Sequence, residues 1–414
     1  MSDSCSSSYW LDHCSEAQQQ TRTTAALPAA ASVVVIGAGI TGASAAYHLG
    51  RHGIDSVLLD RGSICGGATG RNGGFLAPGI ADSVAHSVET FGADTTRRLY
   101  QYTEHCTDLI EAFVSEHGVD CELRFGGEAI LAVTAEEAAA LQSTHGALVE
   151  TCGADVEWWD RETCRERTKS NSYQGGIFKK HCGNLWPVKL VVAIVQQAVL
   201  RGANMQSHTA VLSVRRNESM DSCIVETDRG EIVCDHVVHA TNAWASELIP
   251  GLADVITPVR NQVIMTAPAP RMWDFGLCAN QGYEYFMQRP DGRLLLGGMR
   301  NLSETAEWNC KDEAQTSANS NVSSALRSYF QTHFEELAAV ETEHEWIGVL
   351  GFSRDRNPLI GPMRSRPGEF IAAGFSGHGM PYTFLAGKNV ADMIHGQEPT
   401  PYILEAFTPD RFEI

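Results

Sequence analysis

The sequence predicts an α/β protein in which two domains are interleaved along the chain. An apolar run, closely spaced glycines and an alanine-rich stretch follow one another at 33–51, and a similar arrangement recurs at 370–394. Between them, residues 256–346 show mainly the alternating pattern of β-strands. Because elements of the first kind lie at both ends and in the middle of the chain, the two domains do not follow one another in series.

Size and charge limit the possible functions. A chain of 414 residues suits two domains, and 31 basic against 50 acidic residues give a formal net charge of −19. Nucleic acid and anionic membranes would repel such a protein, so we expect neither as a partner. Residues 1–31 lack the pattern of a signal peptide. We therefore expect a cytoplasmic protein with its twelve cysteines reduced and no metal site.

The first element is a strand, a glycine turn and a helix. Residues 33–36 form a β-branched run that is typical of a buried strand, and residues 41–51 have a helical pattern. Between them Gly37, Gly39 and Gly42 form G-x-G-x-x-G. These glycines permit the tight turn, the approach of a pyrophosphate and the packing of helix on strand, respectively. The pattern favours a dinucleotide site over an ordinary βαβ unit with a glycine turn.

The next two elements indicate which dinucleotide is bound. A second strand, Ser56 to Leu59, ends in Asp60, whose carboxylate would accept hydrogen bonds from a ribose diol and repel a 2′-phosphate. Seven glycines follow within residues 62–79, with Arg71 and Asn72 among them. An NAD dehydrogenase would continue directly into a helix, whereas backbone donors in a long glycine-rich loop suit FAD. A flexible surface loop is the alternative interpretation.

The central part of the chain alternates helices and strands. Thr134 and Glu137 form a capping box that opens a helix. The sequence predicts further helices at 95–118, 188–203 and about 321–337. It predicts strands at 126–133, 210–216, 223–235 and 236–241, with a turn at 228–230 and a hairpin over 290–293.

The last element repeats the first one. Phe370 to Ala373 is a predicted strand, Gly374 to Gly379 a glycine turn, and Pro381 to Ile394 a helix whose N-terminus would face a ligand. His378 lies in the turn. The residues alone leave two roles for this histidine, a ligand contact or a cap of the helix.

Six segments in a conserved order resemble the D-amino acid oxidase superfamily of flavoproteins, in particular the branch with glycine oxidase, sarcosine oxidase and gamma-glutamylputrescine oxidoreductase. They are VVVIGAGITGASAAYHL, GGATGRNGG, GNLWPVKLVVAIVQQAVLRGANMQSHTAVLSV, VVHATNAWASELIPGL, TPVRNQVIMT, and WIGVLGFSRDRNPLIGPM with GEFIAAGFSGHGMP. The resemblance implies a Rossmann-like FAD-binding domain of the glutathione-reductase type and a mixed-sheet α+β substrate domain. We place the first at 32–90, 182–255 and 347–400, and the second at 91–181 and 256–346, after a polar N-terminal extension at 1–31.

The resemblance also implies which residues hold FAD. They are Gly37, Gly39, Ile40, Thr41, Gly42, Asp60 and Arg61 at the ADP half; Gly67, Ala68, Thr69, Arg71, Asn72, Gly73 and Gly74 around the pyrophosphate and flavin; Val211, Thr241, Asn242 and Trp244 near the adenine and the rest of FAD; and Gly374, Ser376, Gly377, His378, Gly379 and Met380 beside the flavin pyrimidine ring. The helix N-terminus after the last group would stabilise the anion of reduced flavin.

The sequence departs from these relatives at three positions. Gly348 stands where several of them carry the cysteine that links flavin covalently, so we expect noncovalent FAD. Leu295 stands about where sarcosine oxidases carry an oxygen-activating lysine, which argues against a fast reaction with oxygen. Pro381 replaces a lysine that binds the substrate carboxylate, which argues against a small α-amino acid as the substrate.

The implied reaction is oxidation of a C–N bond in a small-molecule amine. Hydride transfer to flavin N5 gives an imine that water hydrolyses, and O2 or another acceptor reoxidises the flavin. Candidate substrate-wall residues are Arg71, Arg260, Tyr283, Tyr285, Trp346 and His378. The tyrosines and Trp346 have packing as an alternative role, and Arg260 has a salt bridge. Imine-forming desaturation or cyclisation of a larger molecule, or an NAD-dependent dehydrogenase, are alternative functions, and the sequence does not indicate an oligomeric state.

Overall fold

The computed structural model describes residues 7–15, 21–217, 219–314 and 317–413. The helices are α1 (Tyr9–Asp12), α2 (Ile40–Arg51), α3 (Val84–His117), α4 (Ala135–Ala147), α5 (Arg161–Thr168), α6 (Pro187–Leu200), α7 (Ala245–Leu248), α8 (Ser320–His333), α9 (Met380–Ile394) and α10 (Leu404–Phe407). The strands are β1 (Ala30–Ile36), β2 (Ser56–Leu59), β3 (Phe75–Leu76), β4 (Arg124–Phe125), β5 (Glu128–Ala132), β6 (Val156–Trp159), β7 (Gly175–Lys179), β8 (Gly183–Asn184), β9 (Asn204–Gln206), β10 (Val211–Asn217), β11 (Ser222–Thr227), β12 (Gly230–His239), β13 (Ile256–Pro268), β14 (Gly276–Ala279), β15 (Glu284–Gln288), β16 (Arg293–Gly298), β17 (Thr342–Ser353), β18 (Leu359–Pro362) and β19 (Glu369–Ala373).

The first large sheet has the parallel centre that the apolar runs predict. Its order is β10-β11-β12-β1-β2-β9, and β19 extends it from β12 with β18 alongside. Strand β1 pairs in parallel with both β12 and β2, and β2 with β9. Helix α2 packs against both α6 and α9 over this sheet, and the three helices share one apolar core with it. Burial on both faces explains why β1 and β2 read as continuous apolar runs.

The second large sheet is mixed and mainly antiparallel, in the order β17-β13-β16-β15-β14-β5-β7-β6. Only β14 and β5 pair in parallel among its described strands. Helix α8 packs on β13 and β16 and closes a separate apolar core. A small sheet, β3-β8-β4, joins segments that are distant in sequence. The predicted fold class, a Rossmann-like domain interleaved with a mixed-sheet α+β domain, is therefore confirmed.

Several predicted elements differ in extent. Residues 236–241 do not form a separate strand, because β12 runs from Gly230 to His239 without a break. Helix α3 begins at Val84, ahead of the predicted residue 95, and is interrupted at Gly92, where φ is +82°. Strand β17 crosses from 346 to 347, the boundary proposed between the two domains, and pairs along its length with β13 of the mixed sheet.

The capping box is present with one change of partner. The Glu137 backbone N–H donates to the Thr134 hydroxyl over 3.1 Å. The Glu137 carboxylate accepts from the backbone N–H of Val133, one residue before the predicted donor.

All eleven cysteines within the described residues are free thiols, and Cys5 lies outside them. No helix in the described ranges is long and apolar enough to cross a bilayer.

Burial of His48 makes the stability of the fold sensitive to acid. This side chain in α2 is 4% exposed, and burial lowers its pKa to about 3. The unfolded chain takes up the proton at its ordinary pKa near 6.5, while the folded protein does not, so stability falls as the pH decreases between these values. We expect the stability advantage of wild type over His48→Gln, from urea unfolding, to shrink by about 1.4 kcal/mol per pH unit below pH ~6. An advantage that is constant from pH ~7 to ~5 would contradict this assignment.

Candidate functional site

A cleft of about 1650 Å³ is lined by both large sheets and by three segments that are distant in sequence. These segments are the first glycine turn, the glycine-rich loop after β2 and the turn before α9. Of the residues predicted to hold FAD, all but Gly42, Gly74 and Gly374 line this cleft. The fold thus brings the two glycine turns to a single site, as a long dinucleotide requires.

The first glycine turn has no room for side chains. At Gly37, φ is +105°, and a Cβ there would lie 2.6 Å from the backbone oxygen of Ala240. A Cβ at Gly42 would lie 1.9 Å from the oxygen of Gly37. These contacts explain why glycine is needed at both positions. The turn leads into α2, whose N-terminus faces the cleft at Ile40.

Asp60, the residue predicted to bind the ribose, lines the cleft and organises the first glycine turn. Its carboxylate accepts hydrogen bonds from the backbone N–H groups of Ala38 and Gly62, each over 2.8 Å. Burial raises the pKa of Asp60, and these two bonds oppose the rise. Nearby, the guanidinium of Arg61 lies 4.9 Å from the centre of the Trp244 ring. This end therefore offers a carboxylate for a diol and a cation beside an aromatic ring.

The glycine-rich loop is ordered by its own polar side chains, which argues against the alternative of a flexible surface loop. The Asn72 amide donates to Thr69 O over 3.1 Å and accepts from the Gly74 N–H over 2.7 Å. Arg71 is 6% exposed and donates to the backbone oxygens of Gly66 and Ile347, each over 2.8 Å. The Arg71 guanidinium therefore ties the loop to strand β17.

The turn before α9 uses three residues with left-handed backbone. Gly374, Ser376 and Gly377 have φ of +76°, +52° and +77°. The Ser376 hydroxyl lies 3.1 Å from that of Ser353, and the Gly374 N–H donates to the Asn242 side chain over 3.0 Å. This turn sets the N-terminus of α9 against the cleft, where Met380, Pro381 and Thr383 are part of the wall.

Three buried polar atoms in the cleft wall lack a hydrogen-bond partner within the described protein. They are Thr241 Oγ1, His378 Nε2 and Thr383 Oγ1. Buried polar groups are nearly always paired, so these atoms indicate that a polar ligand completes the site. With the two glycine turns, they match the donor and acceptor needs of a bound dinucleotide, and FAD fits the residues present.

His378 contacts the cleft as a neutral imidazole. Burial lowers its pKa to about 4, and the charge of Lys179 adds to this effect. The side chain lies near Gly79, at 3.5 Å from the position of a Cβ there. Of the two roles that the sequence left open, the ligand contact is favoured by its unpartnered Nε2.

Lys179 and Glu128 are site residues that the sequence analysis missed. The Lys179 ammonium lies 3.6 Å from the Glu128 carboxylate and donates to the backbone oxygen of Pro78. Both side chains are buried and line the cleft from β7 and β5. Strand β7 alternates in burial, with Ile177 and Lys179 more buried than Phe178, but its sequence shows no such alternation and gave no signal. A charge at an inward position of a strand indicates a partner or a cavity.

The predicted substrate-wall residues divide into two groups. Tyr283 and Tyr285 both line the cleft, and the Tyr285 hydroxyl accepts from the Asn261 amide over 2.8 Å. Arg260 does not line it, because its guanidinium pairs with Glu307 and donates to Ser317. The structure thus favours the salt-bridge role that the sequence left open for Arg260. Trp346 is fully buried and donates to Arg71 O over 2.8 Å, which is a core position.

The N-terminal segment 7–14 supports the glycine-rich loop from outside, a role that the sequence analysis did not assign. Trp10 is fully buried, and its indole N–H donates to Asn72 O over 2.7 Å. The Ser8 hydroxyl donates to Gly70 O, and the Trp186 indole donates to Trp10 O over 3.1 Å. The aromatic pair at 9–10 inside a polar stretch was the available signal.

The three positions that depart from the relatives have clear surroundings. A Cβ at Gly348 would lie 3.0 Å from the Arg71 Cβ, so there is little space for a cysteine side chain. Leu295 is fully buried and pairs across the sheet with Met265 and Met287. Pro381 is in the first turn of α9 and lines the cleft.

A family model described as DAO, FAD dependent oxidoreductase, matches residues 32–393. The chain belongs to the DAO family. The DAO match includes strands of both large sheets, the two glycine turns and the glycine-rich loop, so the protein is an FAD-dependent oxidoreductase. Glycine at position 348 offers no thiol for a covalent link to the flavin.

Curated DAO relatives and solved structures cover most of the chain. A probable oxidoreductase OrdL from Rhizobium meliloti is 29% identical over 89% of this chain and 83% of its own length. The gamma-glutamylputrescine oxidoreductase of Escherichia coli is 26% identical over 88% of this chain and 83% of its own. The crystal structure of glycine oxidase from Geobacillus kaustophilus has a TM-score of 0.79 at 22% identity, covering 91% and 98% of the two chains. This last likeness supports the fold.

Proposed function

We propose that this protein oxidises a C–N bond of a small-molecule amine and passes the electrons to O2 or another acceptor. The observation that carries the proposal is the single cleft in which both glycine turns meet His378 and the N-terminus of α9. Relatives that cover most of the chain include an oxidoreductase named for gamma-glutamylputrescine and glycine oxidases, all of which are named for amine-containing compounds. A cytoplasmic location is part of the proposal.

FAD bound in the cleft would supply the hydride acceptor, and the amine would be converted to an imine that water hydrolyses. The chain supplies orientation and electrostatics. The N-terminus of α9 directs its positive end at the cleft and favours negative charge there. Residues of both sheets line the cleft, so a substrate bound there contacts the mixed sheet as well.

His378 acts as a hydrogen-bonding and positioning group in this scheme. With a pKa lowered to about 4 by burial and by Lys179, its imidazole is too weak a base to take a proton from an alkylammonium ion. The amine therefore loses its proton to solvent or on entry to the cleft. Tyr283 and Tyr285 also line the cleft, and the Tyr285 hydroxyl, which accepts from Asn261, keeps its own proton to donate to a substrate.

Anaerobic reduction of the bound flavin tests the proposal. We expect holoprotein to be yellow and to bleach with a subset of primary and secondary amines when oxygen is absent. Glycine, sarcosine and D-alanine are expected to bleach it at least roughly tenfold more slowly than the best amine, because Pro381 offers no cation for their carboxylate. The measurement is the rate of loss of visible flavin absorbance after mixing.

The outcomes separate the possible failures. Failure of every amine in the panel to bleach a protein that contains FAD would overturn the proposed reaction. Rapid bleaching by glycine or sarcosine would leave the reaction intact but contradict the role given to Pro381. The peroxide formed per turnover in air then distinguishes an oxidase from an enzyme that uses another acceptor.

A further inference from the structure

Two arginines on the mixed-sheet side of the cleft are not used by the proposed reaction. Arg300 follows β16 and Arg356 follows β17, and both side chains line the cleft. Neither residue was singled out by its sequence. Each is half-buried rather than extended into solvent. Arg300 shares a hydrogen bond with the Tyr283 side chain. Since arginine is seldom buried without a paired anion, the two arginines together call for one.

Aromatic rings hold the two guanidinium groups side by side. The guanidinium carbon of Arg300 lies 5.8 Å from the centre of the Trp308 ring and 5.5 Å from that of Phe352. The guanidinium carbon of Arg356 lies 5.3 Å and 4.8 Å from the same two rings. Stacking occupies the face of a guanidinium and leaves the N–H donors at its edge available for hydrogen bonds. The pair is therefore fixed in position with donors to spare.

No carboxylate within the described residues forms an ion pair with either arginine. The acids around them are taken by other cations: Asp355 pairs with Arg411, and Glu307 pairs with Arg260. Burial lowers the pKa of Arg300, and the like charge of Arg356 adds to the lowering. Two adjacent positive charges in a partly buried wall are unfavourable unless an anion joins them.

The pair lies close to the reacting end of the cleft. The tip of the Phe352 ring is 3.2 Å from the position of a Cβ at Gly377, in the turn before α9. On the other side, the Arg300 guanidinium carbon lies 4.9 Å from the centre of the Tyr283 ring. A side-chain ring thus separates the arginines from the turn, so an anion bound to them is attached at a distance from the carbon that is oxidised.

We propose that Arg300 and Arg356 together bind a carboxylate of the substrate that is remote from the oxidised C–N bond. The substrate class is then an amine with a carboxylate several bonds away from the reacting carbon. That the bound carboxylate belongs to the substrate rests on the proposed function. The presence of an anion site at the two arginines does not depend on that function. Two guanidinium groups with free edges match the two oxygens of one carboxylate.

Calorimetric titration of the FAD-containing protein tests the anion site without turnover. The probes are glutarate and its uncharged analogue glutaramide. We expect glutarate to bind wild type roughly tenfold or more tightly than glutaramide, since hydrogen bonds to charged groups are the stronger ones. In Arg300→Gln and in Arg356→Gln, this preference is expected to fall to near one. Titration with inorganic phosphate distinguishes a carboxylate site from a phosphate site.

Matched variants separate loss of the site from loss of the fold. Arg215→Gln removes a cation that pairs with Glu231 on an exposed strand outside the cleft, and it should keep the full preference. Arg300→Lys keeps the charge without the planar fork and should keep part of it. FAD content and unfolding midpoint are measured for every variant. Comparison of the two probes on wild type needs no variant.

Three results would overturn the inference. They are equal affinity of wild type for glutarate and glutaramide, an unchanged preference in both glutamine variants with normal FAD content, and tighter binding of phosphate than of glutarate. Failure of the proposed reaction is seen separately, in the anaerobic amine panel. In that panel, the rates at which 5-aminopentanoate and 5-aminopentanamide bleach the flavin are compared. This comparison shows whether the two arginines also bind the carboxylate of an amine that reduces the flavin.

Discussion

Replacement of Gly42 with alanine is expected to give a protein that retains little FAD and is less stable than wild type by about 3 kcal/mol or more. The added Cβ would lie 1.9 Å from the backbone oxygen of Gly37 and 3.3 Å from Val35 Cγ1. Gly37 has no freedom to move away, because it is itself packed against the backbone of Ala240. The helix must therefore separate from the strand, and the turn that faces the pyrophosphate opens. Flavin absorbance per protein and urea unfolding measure the two effects.

Gly146→Ala is the control for this substitution. Gly146 lies in α4, where no heavy atom comes within 4 Å of an added Cβ. Alanine in a helix is favoured over glycine by about 1 kcal/mol, so this variant should be yellow and slightly more stable. A Gly42→Ala protein with the wild-type ratio of FAD to protein would show that the first glycine turn does not carry the cofactor.

The second large effect is expected from Trp10→Ala, which should lower the free energy of unfolding by about 3–5 kcal/mol and weaken FAD binding. The Trp10 ring is fully buried, with its centre 5.3 Å from that of Trp186 and 5.1 Å from the Arg289 guanidinium carbon. The truncation leaves a cavity and removes the indole donor from Asn72 O. Because Asn72 belongs to the glycine-rich loop that is predicted to hold FAD, loss of this hydrogen bond is expected to weaken FAD binding.

Trp10→Phe separates packing from hydrogen bonding. It keeps a buried aromatic ring but loses the indole N–H and part of the ring volume, so a loss smaller than that of alanine, about 1–3 kcal/mol, is expected. Urea unfolding gives the stabilities, and ultrafiltration of holoprotein over a dilution series gives the FAD dissociation constant. If Trp10→Ala matches wild type in both, segment 7–14 does not support the cofactor loop.

The parts of the fold that were predicted correctly have local causes. Strand β2 has the predicted bounds, Ser56 to Leu59, because three apolar residues lie between Ser56 and Asp60. The turn at Gly37 was recognisable because a sharp turn between a buried strand and a helix has few solutions. The same holds for the turn before α9. In each case the residues that decide the conformation are neighbours in sequence.

The features that were missed depend on contacts between distant residues. Lys179 and Glu128 contact each other only because β7 pairs with β5, and the sequence of neither strand indicates which strand is its partner. Arg300 and Arg356 are brought together by the rings of Trp308 and Phe352, which are distant from each other in sequence. For Arg260 the sequence left a salt bridge open as an alternative but did not indicate its partner, Glu307, which follows 47 residues later.

Segment 7–14 also sets an order of events during synthesis. Tyr9 and Trp10 leave the ribosome early, whereas Trp186, whose indole donates to Trp10 O, follows 176 residues later. The carboxylate of Asp291, which accepts from the Tyr9 hydroxyl, follows Tyr9 by 282 residues. The nascent chain therefore holds an exposed aromatic pair until most of the protein has been made. Closure of the cofactor loop is a late step of folding, and chaperones that bind aromatic segments have a long interval in which to act on it.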